Sequence, residues 1–174
     1  MPGPARPLTQ PYLPSLTILA RGALREISQG KRVFEFGAGA STLWFAGFVE
    51  VIHSVEHDEG WFREIRSHLD PSMPVHLWKV EPERLPCAMD LMGMVDVVFV
   101  DCYDQHRVAA VHEARDHVLP GGWLVLDDSD KPMYDQAFRA MKGWEIHQVW
   151  GWKPHLVHGD RVYTETTFWR KPCS

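Results

Sequence analysis

The sequence predicts an α/β fold built on a doubly wound, mostly parallel seven-stranded sheet with an antiparallel last strand. Short apolar runs alternate with segments of helical periodicity along most of the chain, a pattern typical of parallel strands covered by helices on both faces. The final two strand-like runs have no helical segment between them, so they are expected to pair antiparallel. In such sheets ligands bind beyond the carboxyl ends of the strands, where the strand order reverses.

The predicted elements follow one another in a regular order. The helices are expected to begin at N-capping residues such as Ser15 and to favour proline in the first turn, as at Pro132. The predicted strands cover residues 32–37, 51–56, 74–80, 94–102, 122–128, 144–150 and 161–171. The predicted helices cover residues 15–27, 41–48, 59–69, 105–119 and 131–143, with a short helix or irregular crossover at 82–93.

Length and composition restrict the class of protein. A chain of 174 residues predicts one domain, here 15–174, preceded by a flexible proline-rich arm at 1–14. The net charge of −5 argues against a nucleic-acid partner. The three cysteines form no CxxC pair, which argues against a zinc site or a disulfide framework and favours a reducing, cytoplasmic compartment. No apolar run is long enough to predict a signal sequence or a membrane span.

A glycine-rich turn follows the first strand in the stretch FEFGAGAST, residues 34–42. Gly37 and Gly39 allow a tight turn and the close approach of a ligand, although many tight turns have this pattern without one. A dinucleotide motif needs a third glycine, and Thr42 occupies that position. Glu56 ends the second strand, where it could accept hydrogen bonds from ribose hydroxyls or be a solvated carboxylate.

Three aspartates follow the fourth and fifth strands. Asp101 ends the run VFVD, and Asp127 and Asp128 end GGWLVLDD. Carboxylates that converge at the ends of buried strands repel one another unless they are paired or coordinated. The sequence therefore predicts either a Mg²⁺ site with oxygen ligands, or a helix cap together with solvated side chains.

Four of these stretches together resemble the class I S-adenosylmethionine-dependent methyltransferases, whose fold is Rossmann-like. VFEFGAGAST resembles their first motif, VEHD the acidic end of strand two, VDVVFVDC the strand-four motif, and LPGGWLVLDD the strand-five segment. The resemblance covers residues 16–171. It implies S-adenosylmethionine as the cofactor, with Glu35 facing its methionine amino group, Glu56 its ribose, and His57 and Trp61 its adenine. The cofactor-binding residues that it implies are Glu35, Phe36, Gly37, Gly39, Ser41, Thr42, Glu56, His57, Trp61 and Asp101.

Within that class the sequence resembles the small O-methyltransferases. In their metal-dependent members such acids bind Mg²⁺, which assigns Asp101, Asp127 and Asp128 as hypothetical ligands. Cys102 stands where a glycine is common, and Asp104 stands where the catechol-type enzymes have a lysine base. The resemblance therefore leaves the catalytic roles to Asp101 and to His106, which is either a general base or a helix-start residue without chemistry.

The remaining histidines and the cover of the cleft are less informative. His112 and His117 are expected on different faces of one helix, His155 and His158 lie in the last loop, and a zinc site from these histidines needs further ligands. Trp150, Trp152 and His155 form either an aromatic wall at the cleft or packing against the sheet edge. The short cover predicts an exposed acceptor or a lid donated by a second subunit in a homodimer.

Three functions remain open from the sequence. The first is methyl transfer to a hydroxyl of a small molecule or saccharide, the latter suggested by a faint similarity to plant glucuronoxylan O-methyltransferases. The second is an NAD(P)-dependent oxidoreductase, against which the missing third glycine and the absence of a Tyr-x-x-x-Lys pair argue. The third is a methyltransferase fold retained as a binding module without catalysis.

Overall fold

A seven-stranded sheet forms the centre of the protein in the computed structural model, which describes residues 12–90, 92–154 and 161–173. The strand order is β3-β2-β1-β4-β5-β7-β6. Most of the predicted N-terminal arm, together with His155 and His158, lies outside the described residues. The strands are β1 Arg32–Phe36, β2 Val51–Glu56, β3 Val75–Lys79, β4 Val95–Val100, β5 Val118–Leu126, β6 Glu145–Pro154 and β7 Arg161–Arg170.

Helices cover the sheet and connect its strands. Thr17, not the predicted Ser15, caps the first helix, because its hydroxyl accepts a hydrogen bond from the Ala20 N–H at 3.1 Å. The helices are α1 Ile18–Ser28, α2 Ala40–Phe45, α3 Glu59–Ser67, α4 Asp104–His117 and α5 Asp135–Ala140, with 3-10 turns at Pro82–Cys87 and Pro132–Tyr134. No helix within the described residues has the length and apolar character needed to cross a bilayer.

The prediction of a mostly parallel sheet with an antiparallel end is confirmed. β1 pairs in parallel with β2 and β4, whereas β7 pairs antiparallel with both β5 and β6. The strand order therefore reverses beside β1, as the alternating pattern predicts. This places the glycine-rich turn, which follows β1, at the middle of the ligand-binding edge.

Alternate side chains of the central strands enter two apolar cores on opposite faces of the sheet. Phe34 and Phe36 pack on the side of α4 and α5, whereas Val33 packs with Leu24 of α1 on the other side. Every residue from Val97 to Val100 in β4 is fully buried. This burial on both faces is what its uninterrupted apolar run predicts.

Several predicted boundaries are wrong, among them those of β5 and β6. The helix predicted to end at Leu119 ends at His117, and the PGG turn predicted before the fifth strand lies within β5. Gly122 permits this, because a Cβ there would lie 2.5 Å from the Asp96 carbonyl oxygen, beside the shift in register between β4 and β5. β6 also continues to Pro154, four residues beyond its predicted end at Trp150.

Candidate cofactor site

The carboxyl ends of four strands are aligned at one edge of the sheet by hydrogen bonds that continue past the strands. The Gly37 N–H donates to the Val55 carbonyl at 3.0 Å, and the Asp101 N–H donates to the Phe36 carbonyl at 2.9 Å. The Asp127 N–H donates to the Val100 carbonyl at 3.2 Å. The sequence features expected to share this edge are thus brought together.

Gly37 makes the turn after β1 in a conformation that requires glycine. Its φ is +94°, and an added Cβ would lie 2.6 Å from the Asp101 carbonyl oxygen and 2.7 Å from the Cys102 Cα. Both the dihedral angle and the neighbouring backbone therefore exclude a side chain. Gly39 differs, because a Cβ there would approach nothing closer than the Ser41 Oγ at 3.7 Å. The space above Gly39 is consistent with a ligand that passes close to the backbone.

Glu35 is completely buried beneath this turn and accepts hydrogen bonds from three hydroxyl groups. Thr42 Oγ1 donates at 2.5 Å and Ser54 Oγ at 2.6 Å, and Ser41 Oγ donates to the other carboxylate oxygen. Burial raises the pKa of Glu35 to about 7, while these hydroxyls act to lower it. The hydroxyls of Ser41 and Thr42, expected at the cofactor carboxylate, are thus directed to Glu35. The Thr42 N–H donates to the Gly39 carbonyl at 3.1 Å, which leaves the Ser41 N–H as the candidate donor to an anion.

The raised pKa of Glu35 predicts a pH dependence of stability. The folded protein holds a proton on Glu35 that the unfolded chain releases near pH 4.5, so the free energy of unfolding declines between pH 4.5 and about 7. The contribution of this one group is up to about 1.4 kcal/mol per pH unit. Glu35→Gln cannot titrate, and its stability should therefore decline less over this interval.

Urea unfolding of both proteins between pH 5 and 7 measures this difference. Asp101, whose pKa is also raised to about 7, and the histidines are present in both proteins, so their contributions largely cancel in the comparison. Parallel curves for the wild type and Glu35→Gln would contradict the raised pKa of Glu35.

At the end of β2, Glu56 is fixed by the backbone that follows it. Its Oε1 accepts the N–H groups of His57 and Asp58, each at 2.7 Å, and only 4% of the residue is exposed. Burial raises the pKa of Glu56, and the two N–H donors act to lower it. The carboxylate is therefore held rigidly beside the turn at Gly37.

Three rings form an aromatic group next to Glu56. The His57 ring makes an edge contact with Tyr103 at 4.4 Å between centroids and with His106 at 5.6 Å. Burial lowers the pKa of His57, and burial together with the nearby His57 lowers the pKa of His106. Both imidazoles are thus neutral at pH 7 and His106 is able to accept a proton. The rings could flank a flat, uncharged group such as a nucleobase.

Trp61 contacts the glycine-rich turn directly. Its Nε1–H donates to the Ala38 carbonyl at 2.5 Å, while its backbone N–H is bound by the Asp58 side chain that caps α3. Trp61 therefore ties the start of α3 to the turn between Gly37 and Gly39. This contact places its indole at the wall of the candidate site.

Buried cations balance the aspartates at the ends of β4 and β5. Lys153 Nζ, in β6, lies 2.6 Å from Asp127 Oδ2 and 2.6 Å from Asp128 Oδ1. Thr166 and Thr164 donate to the same two carboxylates, each at 2.8 Å. Burial acts to lower the pKa of Lys153, but the two aspartates raise it above its ordinary value, so Lys153 is charged at pH 7.

Arg107 fulfils the corresponding role for Asp101. Its Nη2 donates to Asp101 Oδ1 at 2.8 Å, its Nε donates to the Cys102 carbonyl at 2.6 Å, and its Nη1 donates to the Asp127 carbonyl. Burial raises the pKa of Asp101 to about 7, and Arg107 acts to lower it. Lys153 and Arg107 thus supply the positive charge that the sequence prediction assigned to a Mg²⁺ ion, so the residues present do not fit that ion.

Exposed aromatic side chains lie on the hairpin of β6 and β7. Trp150, Trp152 and Tyr163 are each more than 40% exposed, and the Trp150 and Tyr163 rings stack at 5.8 Å between centroids. The last pair between β5 and β7 joins Leu126 to Thr167, so the start of β7 extends beyond the carboxyl end of β5. The two tryptophans are therefore not packed into the sheet edge, and His155 lies outside the described residues.

Comparison with solved structures identifies the architecture. TehB from Haemophilus influenzae superimposes with a TM-score of 0.68 at 13% identity, over 93% of this chain and 64% of TehB. A methyltransferase from Pyrococcus furiosus gives a TM-score of 0.67 at 18% identity, over 97% and 89%. The O-methyltransferase TomG from Streptomyces achromogenes, solved with S-adenosylmethionine, gives 0.67 at 17% identity, over 88% and 78%. The chain has the class I methyltransferase fold. No family model and no curated protein sequence matches it.

The methyltransferase fold gathers most of the predicted cofactor residues at one edge, but the sequence did not reveal the groups that complete it. Of these groups, Tyr103 had the strongest signal in the sequence, because it follows Asp101 by two residues at the end of a buried strand. Arg107 lies in the first turn of α4, and Ser54 lies within β2. Lys153 gave no signal, since it lies 26 residues after its partner Asp127 in a segment interpreted as a loop.

Proposed function

We propose that the protein transfers a methyl group from S-adenosylmethionine to a hydroxyl of a small-molecule or saccharide acceptor. The observation that carries the proposal is the arrangement around Gly37: a turn without room for a side chain, a fixed carboxylate at Glu56, and an aromatic group beside it. A bent nucleoside with an amino-acid tail needs these features along adjacent strand ends. The fold, which TomG shares in complex with S-adenosylmethionine, supports the same cofactor.

The residues of the turn would hold the two ends of the cofactor. Glu56 would accept hydrogen bonds from the ribose hydroxyls, and the rings of His57 and Tyr103 would contact the adenine. The Ser41 N–H at the start of α2 would bind the cofactor carboxylate, and Glu35 would fix the loop from beneath. When bound, the cofactor supplies a methyl group on a sulfonium, which is already activated for in-line displacement.

For the acceptor, this chain has to align a hydroxyl and remove its proton. His106 is the proposed general base, because its imidazole is neutral at pH 7 and lies at the same edge as Asp101. Asp101, held by Arg107, would orient the acceptor or the cofactor amino group. In place of Mg²⁺ assistance we assign the positive charge at this edge to Lys153 and Arg107, so no step depends on a metal.

The hairpin of β6 and β7 is the proposed acceptor surface. Its exposed rings, Trp150, Trp152 and Tyr163, offer flat apolar faces beyond the end of β5. Such faces suit the apolar side of a sugar ring or a small aromatic molecule.

We also propose that the protein works in a reducing compartment. Cys87, Cys102 and Cys173 are all free thiols, which is consistent with such a compartment.

Substitution of Glu56 tests the cofactor assignment. We expect Glu56→Ala to weaken the binding of S-adenosylhomocysteine by about 1–3 kcal/mol, because the ribose hydroxyls lose a charged acceptor. Isothermal titration calorimetry measures the change. Glu59→Ala is the matched control, since Glu59 is an exposed acid nearby that pairs with Arg63 on α3. Unchanged affinity in Glu56→Ala would remove Glu56 from the site.

The same calorimetry separates the proposal from an oxidoreductase. We expect S-adenosylhomocysteine to bind and NADH to give no heat, because Thr42 stands where a dinucleotide site needs a glycine. Tight binding of NADH without a response to S-adenosylhomocysteine would overturn the methyltransferase proposal.

A further inference from the structure

A second group of ionisable side chains lies where the 3-10 turn Pro82–Cys87 meets α4, away from the carboxyl edge of the sheet. Asp90 follows the turn, and Glu113 and His117 lie one helical turn apart on α4. A carboxylate oxygen of each acid and a ring nitrogen of His117 all lie within 4.8 Å of one another. They border an open cavity of about 740 Å³ that is also lined by Cys87 and His112.

The acids of this group differ from the other clustered acids, because no lysine or arginine pairs with them in the described part of the chain. Asp127 and Asp128 share Lys153, and Asp101 is paired with Arg107. Within residues 12–90, 92–154 and 161–173, by contrast, neither Asp90 nor Glu113 forms an ion pair with a lysine or an arginine. The two acids thus face each other with His117 as their neighbour.

Glu113 also has an unused ligand atom directed into the group. Its Oε1 is inaccessible to solvent and has no hydrogen-bond partner among the described residues. His117 Nε2 lies 3.5 Å from this oxygen, too far for a good hydrogen bond. A buried carboxylate oxygen without a donor is costly, and a cation would satisfy it.

We propose that Asp90, Glu113 and His117 bind a divalent transition-metal ion of the Zn²⁺ type. Two carboxylates neutralise the charge of the ion, and an imidazole favours a transition metal over Mg²⁺ or Ca²⁺. Three protein ligands with water in the fourth position is a common zinc arrangement, with ligands at about 2.0–2.2 Å. Small rotations of the exposed Asp90 and of the long Glu113 side chain would bring the three atoms to that distance.

The site joins the segment after β3 to the second half of α4. Metal binding at this site is therefore expected to raise the stability of the folded protein, because an ion that binds only the folded protein stabilises it by mass action. His106 and Arg107 lie at the opposite end of α4, so the inference does not depend on the proposed methyl transfer.

The test is a titration of the full chain with ZnCl₂ after removal of metals by chelator and dialysis. We expect competition with a chromophoric chelator to show one ion bound per chain, and we expect the bound ion to raise the melting temperature. Glu113→Gln and His117→Ala should each weaken binding by at least about tenfold, because each removes a ligand. His112→Ala and Asp116→Asn, which alter the same cavity outside the group, should bind as the wild type does.

The controls also account for adventitious binding, since the chain contains ten histidines. The proposal would be overturned if the wild type did not bind Zn²⁺, or if Glu113→Gln and His117→Ala bound Zn²⁺ as tightly as the wild type. It would also be overturned if the two control variants lost as much affinity as the ligand variants. Circular dichroism verifies that each variant is folded. If either ligand variant does not fold, Asp90→Asn replaces it, because Asp90 is exposed and its substitution disturbs no packing.

Discussion

Lys153→Met is expected to reduce the free energy of unfolding by about 3–5 kcal/mol, the cost of leaving a buried acid without its partner. Lys153 is the shared cation of Asp127 and Asp128, at 2.6 Å from each, and both Lys153 and Asp127 are buried. Methionine has a similar length but no charge, so the effect on packing is small. Urea denaturation at pH 7 measures the loss.

A double-mutant cycle with Asp127→Asn separates the charge interaction from packing. The combined variant should lose less stability than the sum of the single variants, since the charges of Lys153 and Asp127 are removed together and only the partly exposed Asp128 loses its partner. Lys131→Met is the matched control, because Lys131 pairs with Asp104 at 2.8 Å but both side chains are more than a third exposed. It should cost at most about 1 kcal/mol. Equal small losses in Lys153→Met and Lys131→Met would show that Lys153 does not balance these acids.

Gly37→Ala is expected to reduce the free energy of unfolding by about 2–5 kcal/mol and to abolish detectable binding of S-adenosylhomocysteine. Part of this loss comes from the φ of +94°, which a side chain tolerates poorly. The rest comes from the contact at 2.6 Å with the Asp101 carbonyl oxygen, which forces the backbone after β1 or β4 to move. Denaturation and calorimetry measure the two effects.

Gly39→Ala provides the comparison within the same turn. Its Cβ would meet no described atom closer than 3.7 Å, so its stability should stay within about 0.5 kcal/mol of the wild type. Its affinity for S-adenosylhomocysteine should nevertheless fall, because the methyl group occupies the space proposed for the cofactor. Normal affinity in Gly39→Ala would place the cofactor elsewhere on this edge.

The predictions from the sequence were accurate where the determining interactions are local. The uninterrupted apolar run from Val97 to Val100 predicts a strand buried on both faces, and this part of β4 is fully buried. The limits of β2 were also correct, since the polar residues Glu50 and His57 flank it. One error occurs where a neighbour distant in sequence decides, because the close approach of Gly122 to Asp96 keeps LPGG in β5. The cap of α1 is a local exception, since Thr17, in place of Ser15, bonds the N–H of Ala20 three residues later.

The candidate site shows the same division. The pattern of glycines at 37 and 39 and acids at 35, 56 and 101 depends on residue type at strand ends, which a sequence displays directly. The proposed roles of these residues stay predictions, but their convergence at one edge is observed. The hydroxyl group that Ser54 directs at Glu35 could not be foreseen, because the pairing of β1 with β2 places it there.

By itself, the sequence determined the class of fold, the position of the ligand-binding edge and the need for glycine after β1. Only the tertiary structure decided how the aspartates at that edge are stabilised. Repulsion between carboxylates can be recognised from the sequence, but the group that relieves it acts over a few ångströms and can come from any part of the chain. Here that group is the ammonium of Lys153, which reaches Asp127 because β6 and β7 extend past the end of β5.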